Sequence, residues 1–192
     1  MQTLLEITRS KVRRDLLRLY FTNVDEEYYL RQLERLLGFS AANIRRDLLK
    51  LKETGLFKTR AVGNLVFYSL NKDYPLCNEL KSIVFKTIGV EGSLKKIVNA
   101  TEGVEVAMIY GSFAAGEETG KSDIDLLIIG EPNEEYLMAG IDKLERDLRR
   151  EINYTIYSKM EYKKRKRKND SFIRKVLTKP KIMLEGSEDD LR

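Results

Sequence analysis

The sequence predicts an α+β protein built in two parts, and three observations carry that expectation. Residues 10–21, 31–37 and 41–54 show apolar positions at helical spacing, and two short apolar runs, 56–60 and 65–70, flank Val62-Gly63-Asn64. A nearly continuous apolar run, 104–110, ends in Gly111-Ser112. Asp123-Ile124-Asp125 then opens a second apolar run, so two carboxylates stand on the same side of one strand. Helices followed by a hairpin, then strands mixed with helices, read as a small helical domain followed by a mixed β-sheet flanked by helices.

Composition narrows the chemistry. With 192 residues and 42% hydrophobic content the chain can form a packed core. No apolar stretch approaches the roughly 20 residues of a membrane span, and Met1-Gln2-Thr3-Leu4-Leu5-Glu6 lacks the basic start of a secretory leader. Cys77 is the only cysteine, which excludes an intrachain disulfide and a cysteine zinc site and fits a reducing cytoplasm. Histidine is absent, which removes Ser-His-Asp and Cys-His catalysis and histidine metal ligation. A metal would be held by oxygen ligands, favouring Mg²⁺ or Mn²⁺, and a general base would be a carboxylate, Lys, Tyr or water. The net charge of +5, from 35 basic and 30 acidic residues, is compatible with a polyanionic partner or with a charge-rich solvated surface.

In the first part, Val12, Leu16, Leu19 and Tyr20 stripe the first helix, with Arg13, Arg14 and Arg18 at polar positions. Asn23-Val24-Asp25 ends it, and Tyr28-Tyr29-Leu30 reads as extended. Gly38 closes the second helix, Ser40 caps the third, and Gly55 closes that one. Ile44, Leu48 and Leu51 form the buried stripe of the third helix, while Asn43, Arg46 and Lys50 lie on another face beside Arg45. The order helix, helix, helix, hairpin over residues 1–72 resembles the winged helix-turn-helix domains of prokaryotic regulators of the ArsR and MarR type. That resemblance implies double-stranded DNA as partner, with the third helix in the major groove. Ser40, Ala42, Asn43, Arg45 and Arg46 would face DNA, Lys50 would lie near phosphate, and Arg60 and Asn64 would sit on the wing. A solvated basic face, or a surface for protein, is the alternative.

Residues 73–103 read as a helical linker. Asp73-Tyr74-Pro75 breaks the chain, Leu76, Leu80, Ile83, Val84 and Ile88 mark one helix, residues 89–92 interrupt it, and Leu94, Ile97 and Val98 mark another. The first of these helices suits either a homodimer surface or packing on its own domain.

Residues 104–192 form the second domain. The strand 104–110 is expected to be central, and Gly111-Ser112 starts a short helix with Phe113-Ala114-Ala115. A loop, 116–120, leads through Lys121-Ser122 to the aspartate strand. Pro132-Asn133 starts a helix striped by Leu137, Ile141, Leu144 and Leu148, and a third strand follows over 151–157. Lys163-Lys164-Arg165-Lys166-Arg167-Lys168 reads as a solvated, mobile run, as an extension of a DNA or RNA surface, or as a holder of a nucleotide's phosphates. Phe172, Val176 and Leu177 mark a last helix, 181–186 reads as an edge strand, and the tail is polar.

Gly111-Ser112 with Ser122-Asp123-Ile124-Asp125 resembles the signature of the DNA polymerase β-like nucleotidyltransferase superfamily, nearest to its minimal branch. The resemblance implies that Gly111 and Ser112, with Ser122 beside them, hold the phosphates of a nucleoside triphosphate such as ATP. It implies that Asp123 and Asp125 ligate Mg²⁺ or Mn²⁺, and that a third carboxylate on the next strand completes the catalytic set. Here the pattern departs: Asn153 aligns with that third position, and Glu151 lies two residues earlier on the same face. Asparagine carries no charge and cannot act as a base. Over nearly its whole length the chain resembles archaeal and bacterial proteins that fuse a winged helix to such a domain. The expected function is a DNA-binding transcription regulator whose nucleotidyltransferase-fold domain binds nucleotide and metal, with catalysis weakened at Asn153. The alternative is an active Mg²⁺-dependent transferase of a nucleoside monophosphate to a hydroxyl of a protein, RNA or small molecule. The minimal branch also implies pairing with a small helical partner protein.

Overall fold

The computed structural model describes residues 10–119 and 122–191. The leader-free reading of Met1 to Glu6, and Lys121, lie outside the described residues. The chain divides into two compact units between Val90 and Glu91.

The first unit runs α1 (Lys11–Thr22), β1 (Glu27–Tyr29), α2 (Leu30–Leu37), α3 (Ala41–Glu53), β2 (Phe57–Val62), β3 (Leu65–Leu70) and α4 (Cys77–Thr87). Its three strands form an antiparallel sheet ordered β1-β3-β2, with Tyr68 of β3 opposite Tyr28 on one side and Thr59 on the other. The helical stripes converge as their spacing demands: Leu16, Leu19, Tyr20, Leu33, Ile44 and Leu48 are all sealed from solvent. Tyr20 lies edge-on to Tyr28 and Phe57, at 5.3 and 4.6 Å between centroids, and its hydroxyl donates to the Tyr68 carbonyl at 3.0 Å. Burial among these rings pushes its phenol well above the usual range.

A polar clamp joins α1 to α3. Asp47 is buried, and its Oδ1 accepts from Arg13 Nε at 3.1 Å and Nη2 at 2.8 Å while its Oδ2 accepts from Ser10 Oγ at 2.8 Å. Ser10 Oγ also accepts from Arg13 N at 3.2 Å, capping α1. Gly38 closes α2 with φ of 70°, as a left-handed terminator should. Ser40 precedes α3 but makes no capping bond through its side chain; Glu34 Oε1 takes the Ala41 amide at 3.0 Å instead. A carboxylate from the previous helix therefore does the work expected of the serine.

The second unit holds α5 (Val90–Ala100), which begins on the last residue of the first unit. There follow β4 (Val104–Tyr110), α6 (Ser112–Ala115), β5 (Ile124–Gly130), α7 (Glu134–Leu148), β6 (Ile152–Tyr157), α8 (Lys159–Arg167), α9 (Ser171–Thr178), β7 (Ile182–Glu185) and a 3-10 turn (Glu188–Leu191). The sheet is ordered β6-β5-β4-β7; β5 and β6 are parallel and the other pairs antiparallel, so β4 is central and β7 an edge. Alternate residues go to opposite faces. Val106, Met108, Leu127 and Ile129 pack with Tyr162 of α8, Ile173 and Val176 of α9, and Leu191. Ala107, Ile109, Leu126 and Ile128 are fully buried on the other face. A sheet buried on both faces explains the continuous apolar runs.

Two expectations change. α5 begins at Val90 and runs through Gly92, where the sequence suggested a break. Val90, Leu94 and Val98 are buried along it, and burial of three branched side chains outweighs a helical glycine's cost of about 1 kcal/mol. The basic run is helical within α8, not a loose segment: Ser158 Oγ caps it by accepting from Glu161 N at 3.1 Å, and Tyr162 anchors it to the core. No helix among the described residues is long and apolar enough to cross a membrane.

Candidate active site

The sheet register assembles the site. Tyr110 at the end of β4 pairs with Asp125 near the start of β5, and Asp125 pairs with Asn153 near the start of β6. Three adjacent strands thus set a phenol, a carboxylate and an amide in one row. Asp123 precedes β5, exposed, two residues before half-buried Asp125. Asn153 Nδ2 donates to Asp123 Oδ2 at 3.4 Å, so the amide bridges toward the outer carboxylate.

Gly111 connects β4 to α6 with φ of 77° and ψ of −153°, a conformation open to glycine. A Cβ there would collide with Asp125 Oδ2. Both backbone angle and contact therefore require glycine before Ser112. Together Tyr110, Gly111, Ser112, Glu117 and Asp125 on one side, with Phe172, Lys175 and Val176 of α9 and Lys179 just after it on the other, line a cavity of about 450 Å³. Phe172 stands edge-on to Tyr110 and Tyr157, at 5.6 and 6.3 Å, which holds α9 against the sheet. Tyr110 is raised by burial and by the neighbouring Asp125 charge, against a hydrogen bond with Thr155. Asp125 is also pushed above the usual carboxylate range, first by burial and then by Asp123; Lys175 opposes both.

The loop before Asp123 is held from beneath by Arg150. This arginine is only 7% exposed, its Nη1 donates to the carbonyls of Thr119 and Ser122 at 3.0 Å each, and its guanidinium lies 5.9 Å from the Phe113 ring centroid. One side chain thus braces the Asp123 loop and the helix that starts at Ser112. Ser122 turns its hydroxyl into the same loop, accepting from Thr119 N at 2.9 Å, and does not line the cavity. Glu151 lies just before β6, exposed, and its carbonyl accepts from Ile124 N at 2.9 Å. Gly111, Ser112 and Asp125 share the cavity, with Asp123 and Asn153 next to it.

Asp123, Asp125 and Asn153 offer oxygen donors only, which suits a hard divalent cation. Among the described residues no group of three or more His, Cys, Asp or Glu is placed to hold a metal. Burial and then the Asp123 charge raise Asp125, and a cation would offset both. Asp123 and Asp125 would hold such a cation, and Asn153, whose Nδ2 faces Asp123, would orient that carboxylate.

Sequence reasoning missed Phe172, Lys175 and Lys179, which come from α9 and the residue after it, some fifty residues beyond the motif, as well as Arg150. Tyr110 had a signal, since it immediately precedes Gly111. In the first unit, Ser40, Ala42, Asn43, Arg45, Arg46 and Lys50 are exposed on α3 and its entry, while Ile44, Asp47, Leu48 and Leu51 are buried. Asn64 is exposed at the hairpin turn. Arg60 is exposed but engaged: it pairs with Glu27 and lies 5.5 Å from the Phe67 ring centroid.

Comparison with known proteins bears on the fold family of the second unit. Residues 92–189 match the family described as polymerase beta, nucleotidyltransferase. A Methanocaldococcus jannaschii protein whose name reads "Putative protein adenylyltransferase" is 31% identical over 98 residues, covering 48% of this chain and 96% of its own length. Among solved structures, reduced HlyU from Vibrio cholerae shares 24% identity over 44% of this chain and 83% of its own, with a TM-score of 0.34. A toxin–antitoxin structure with AMP-PNP shares 16% identity over 53% of this chain and 77% of its own, with a TM-score of 0.40. TM-scores this low carry no argument. The match over residues 92–189 and the relative aligned over nearly its full length do: the chain belongs to the polymerase β nucleotidyltransferase family.

Proposed function

We propose that the second unit binds a nucleoside triphosphate such as ATP with Mg²⁺ or Mn²⁺, that the first unit is a winged helix binding double-stranded DNA, and that the whole is a nucleotide-responsive DNA-binding regulator. The observation that carries the nucleotide reading is the shared cavity. It brings Asp125, the Gly111-Ser112 turn, Lys175 of α9 and Lys179 just after that helix to one place. Gly111 and Ser112 receive phosphate oxygens, and Lys175 and Lys179 offset their charge. Asp123 and Asp125 hold the cation, which when bound neutralises charge developing on the phosphates. Asn153 steadies Asp123 and offers an amide where a base would stand, so transfer of the nucleoside monophosphate is slow. The DNA reading rests on the exposed polar and basic residues of α3, next to a three-stranded sheet ending in a hairpin. Phosphate contacts by Arg45 and Lys50 would give affinity, and Asn43 and Arg46 would read base edges. Pairing of two copies through α4, and capture of a small helical protein, belong to the same proposal.

A second reading, active transfer to a protein hydroxyl, is favoured by the name and near-complete alignment of the Methanocaldococcus relative. The two are separated by incubating wild type and Asp123→Ala/Asp125→Ala with α-labelled ATP, Mg²⁺ and cell extract, alongside calorimetric ATP titration. The regulator reading expects ATP binding lost in the variant and little label transferred. Strong aspartate-dependent labelling of a protein establishes the second reading, and ATP binding that survives the double substitution contradicts both.

A further inference from the structure

α8 and the residue after it carry six successive cations, Lys163 to Lys168, of which Arg165 and Lys166 make side-chain bonds to other described residues. Arg165 donates through Nε and Nη2 to Glu161 Oε1, at 3.0 Å each, and through Nη1 to Asp170 Oδ2 at 3.3 Å; it also stacks 4.7 Å from the Tyr157 centroid. Lys166 Nζ donates to the Leu191 carbonyl at 2.7 Å. Arg165 thereby engages Glu161 and Asp170, while Glu105 pairs with Lys159 and Asp190 accepts from Ser187. Asp170 also caps α9, accepting from the amides of Phe172 and Ile173 at 3.0 and 3.1 Å. Among the described residues, Lys163, Lys164, Arg167 and Lys168 have no carboxylate within 4.0 Å, and neither has Arg174 on the exposed side of α9.

These cations surround a continuous depression. One part, about 430 Å³, is lined by Lys163, Lys166, Arg167 and Asn169. The adjoining part, about 270 Å³, shares Lys166 and Asn169 and is lined further by Asp170, which Arg165 already engages, by Arg174 and by the half-buried Leu177. α9 is the wall between this groove and the 450 Å³ cavity, which its other side lines with Phe172 and Lys175. The helix dipole favours cations in the last turn of α8, but it does not account for Arg174 facing them from a second helix.

We propose that the α8–α9 groove binds a single-stranded polynucleotide, its phosphates on Lys163, Arg167 and Arg174 and its bases against the half-buried Leu177. Cations on both rims suit a chain with a negative charge at every repeat. Leu177 beside these cations suits the unstacked bases of a flexible strand. This site is separate from the α3 face proposed for duplex DNA and does not depend on the nucleotide cavity.

The test uses the full chain carrying Arg45→Ala/Arg46→Ala, to silence the α3 face, with and without Lys163→Glu/Arg167→Glu/Arg174→Glu. Fluorescence anisotropy with labelled oligouridylate should show binding in the parent. The charge reversals should weaken it about tenfold or more and lower the salt slope by about two. Unchanged ATP binding and circular dichroism would show that the fold persists; should the reversals unfold the chain, glutamines at the same positions replace them. Equal affinity and slope in both proteins, or no binding by the parent, overturns the proposal. Displacement of oligouridylate by polyglutamate at equal charge assigns the groove to an acidic protein and overturns it as well.

Discussion

Asp123 and Asp125 stand two residues apart, yet different parts of the chain hold them. Asp125 belongs to β5, paired with Tyr110 on one side and Asn153 on the other, with its carboxylate seated against Gly111. Asp123 lies outside the strand and exposed, and it depends on neighbours that sequence distance hides. Ile124 N donates to the Glu151 carbonyl, Arg150 holds the Ser122 carbonyl, and Asn153 donates to the carboxylate itself. One aspartate is fixed by the sheet ladder and the other by a buried arginine and an amide. The spacing of an Asp-x-Asp motif therefore specifies only half of the placement of the pair.

The comparison can be broken at four points, in falling order of effect. Asp125→Asn removes the sheet-held ligand, and Mn²⁺ affinity measured by electron paramagnetic resonance should drop more than about 100-fold with little change in the melting midpoint. Arg150→Ala should cost about tenfold in Mn²⁺ affinity by releasing Asp123, while leaving less change in ATP affinity measured without metal. Added guanidinium should recover part of that loss. Arg150→Lys should not, because an ammonium on a flexible stem does not reproduce the guanidinium bridging two carbonyls over Phe113. An equal loss with and without metal would reduce Arg150 to a folding residue. Asn153→Asp supplies a third carboxylate and should tighten Mn²⁺ a few-fold, with a rise in label transfer from ATP. Glu151→Gln should change Mn²⁺ affinity less than about twofold, since the Glu151 backbone carbonyl holds β5 and the side chain is exposed.

The fold of the second unit was largely legible from residues 104 to 130. Continuous apolar runs mark strands buried on both faces, and Gly111 is needed for a left-handed backbone angle pressed against a carboxylate. The registry of Asn153 beside Asp125 follows from placing parallel strands next to each other. Arg150 left no trace in the sequence, because its partners are backbone carbonyls and carry no side-chain signature. Lys175 and Lys179 were hidden for another reason: only the packing of Phe172 on Tyr110 and Tyr157 brings α9 to the motif. In the first unit the apolar stripes were clear, but Asp47 was not. On sequence it counts as one more charge on α3, whereas in the structure it is a buried acceptor for Arg13 and Ser10. Asp47→Asn should destabilise that unit by about 3 kcal/mol in urea unfolding without altering ATP binding.

The central claim is that Asp123 and Asp125 share one cation with a triphosphate lying against Gly111-Ser112. Anomalous diffraction from crystals soaked with Mn²⁺ and a non-hydrolysable ATP analogue tests it most directly. The account predicts one manganese peak bridging the two aspartates, with phosphate density between the Gly111-Ser112 turn and Lys175. Manganese absent from both aspartates, or nucleotide bound away from the cavity, would contradict it.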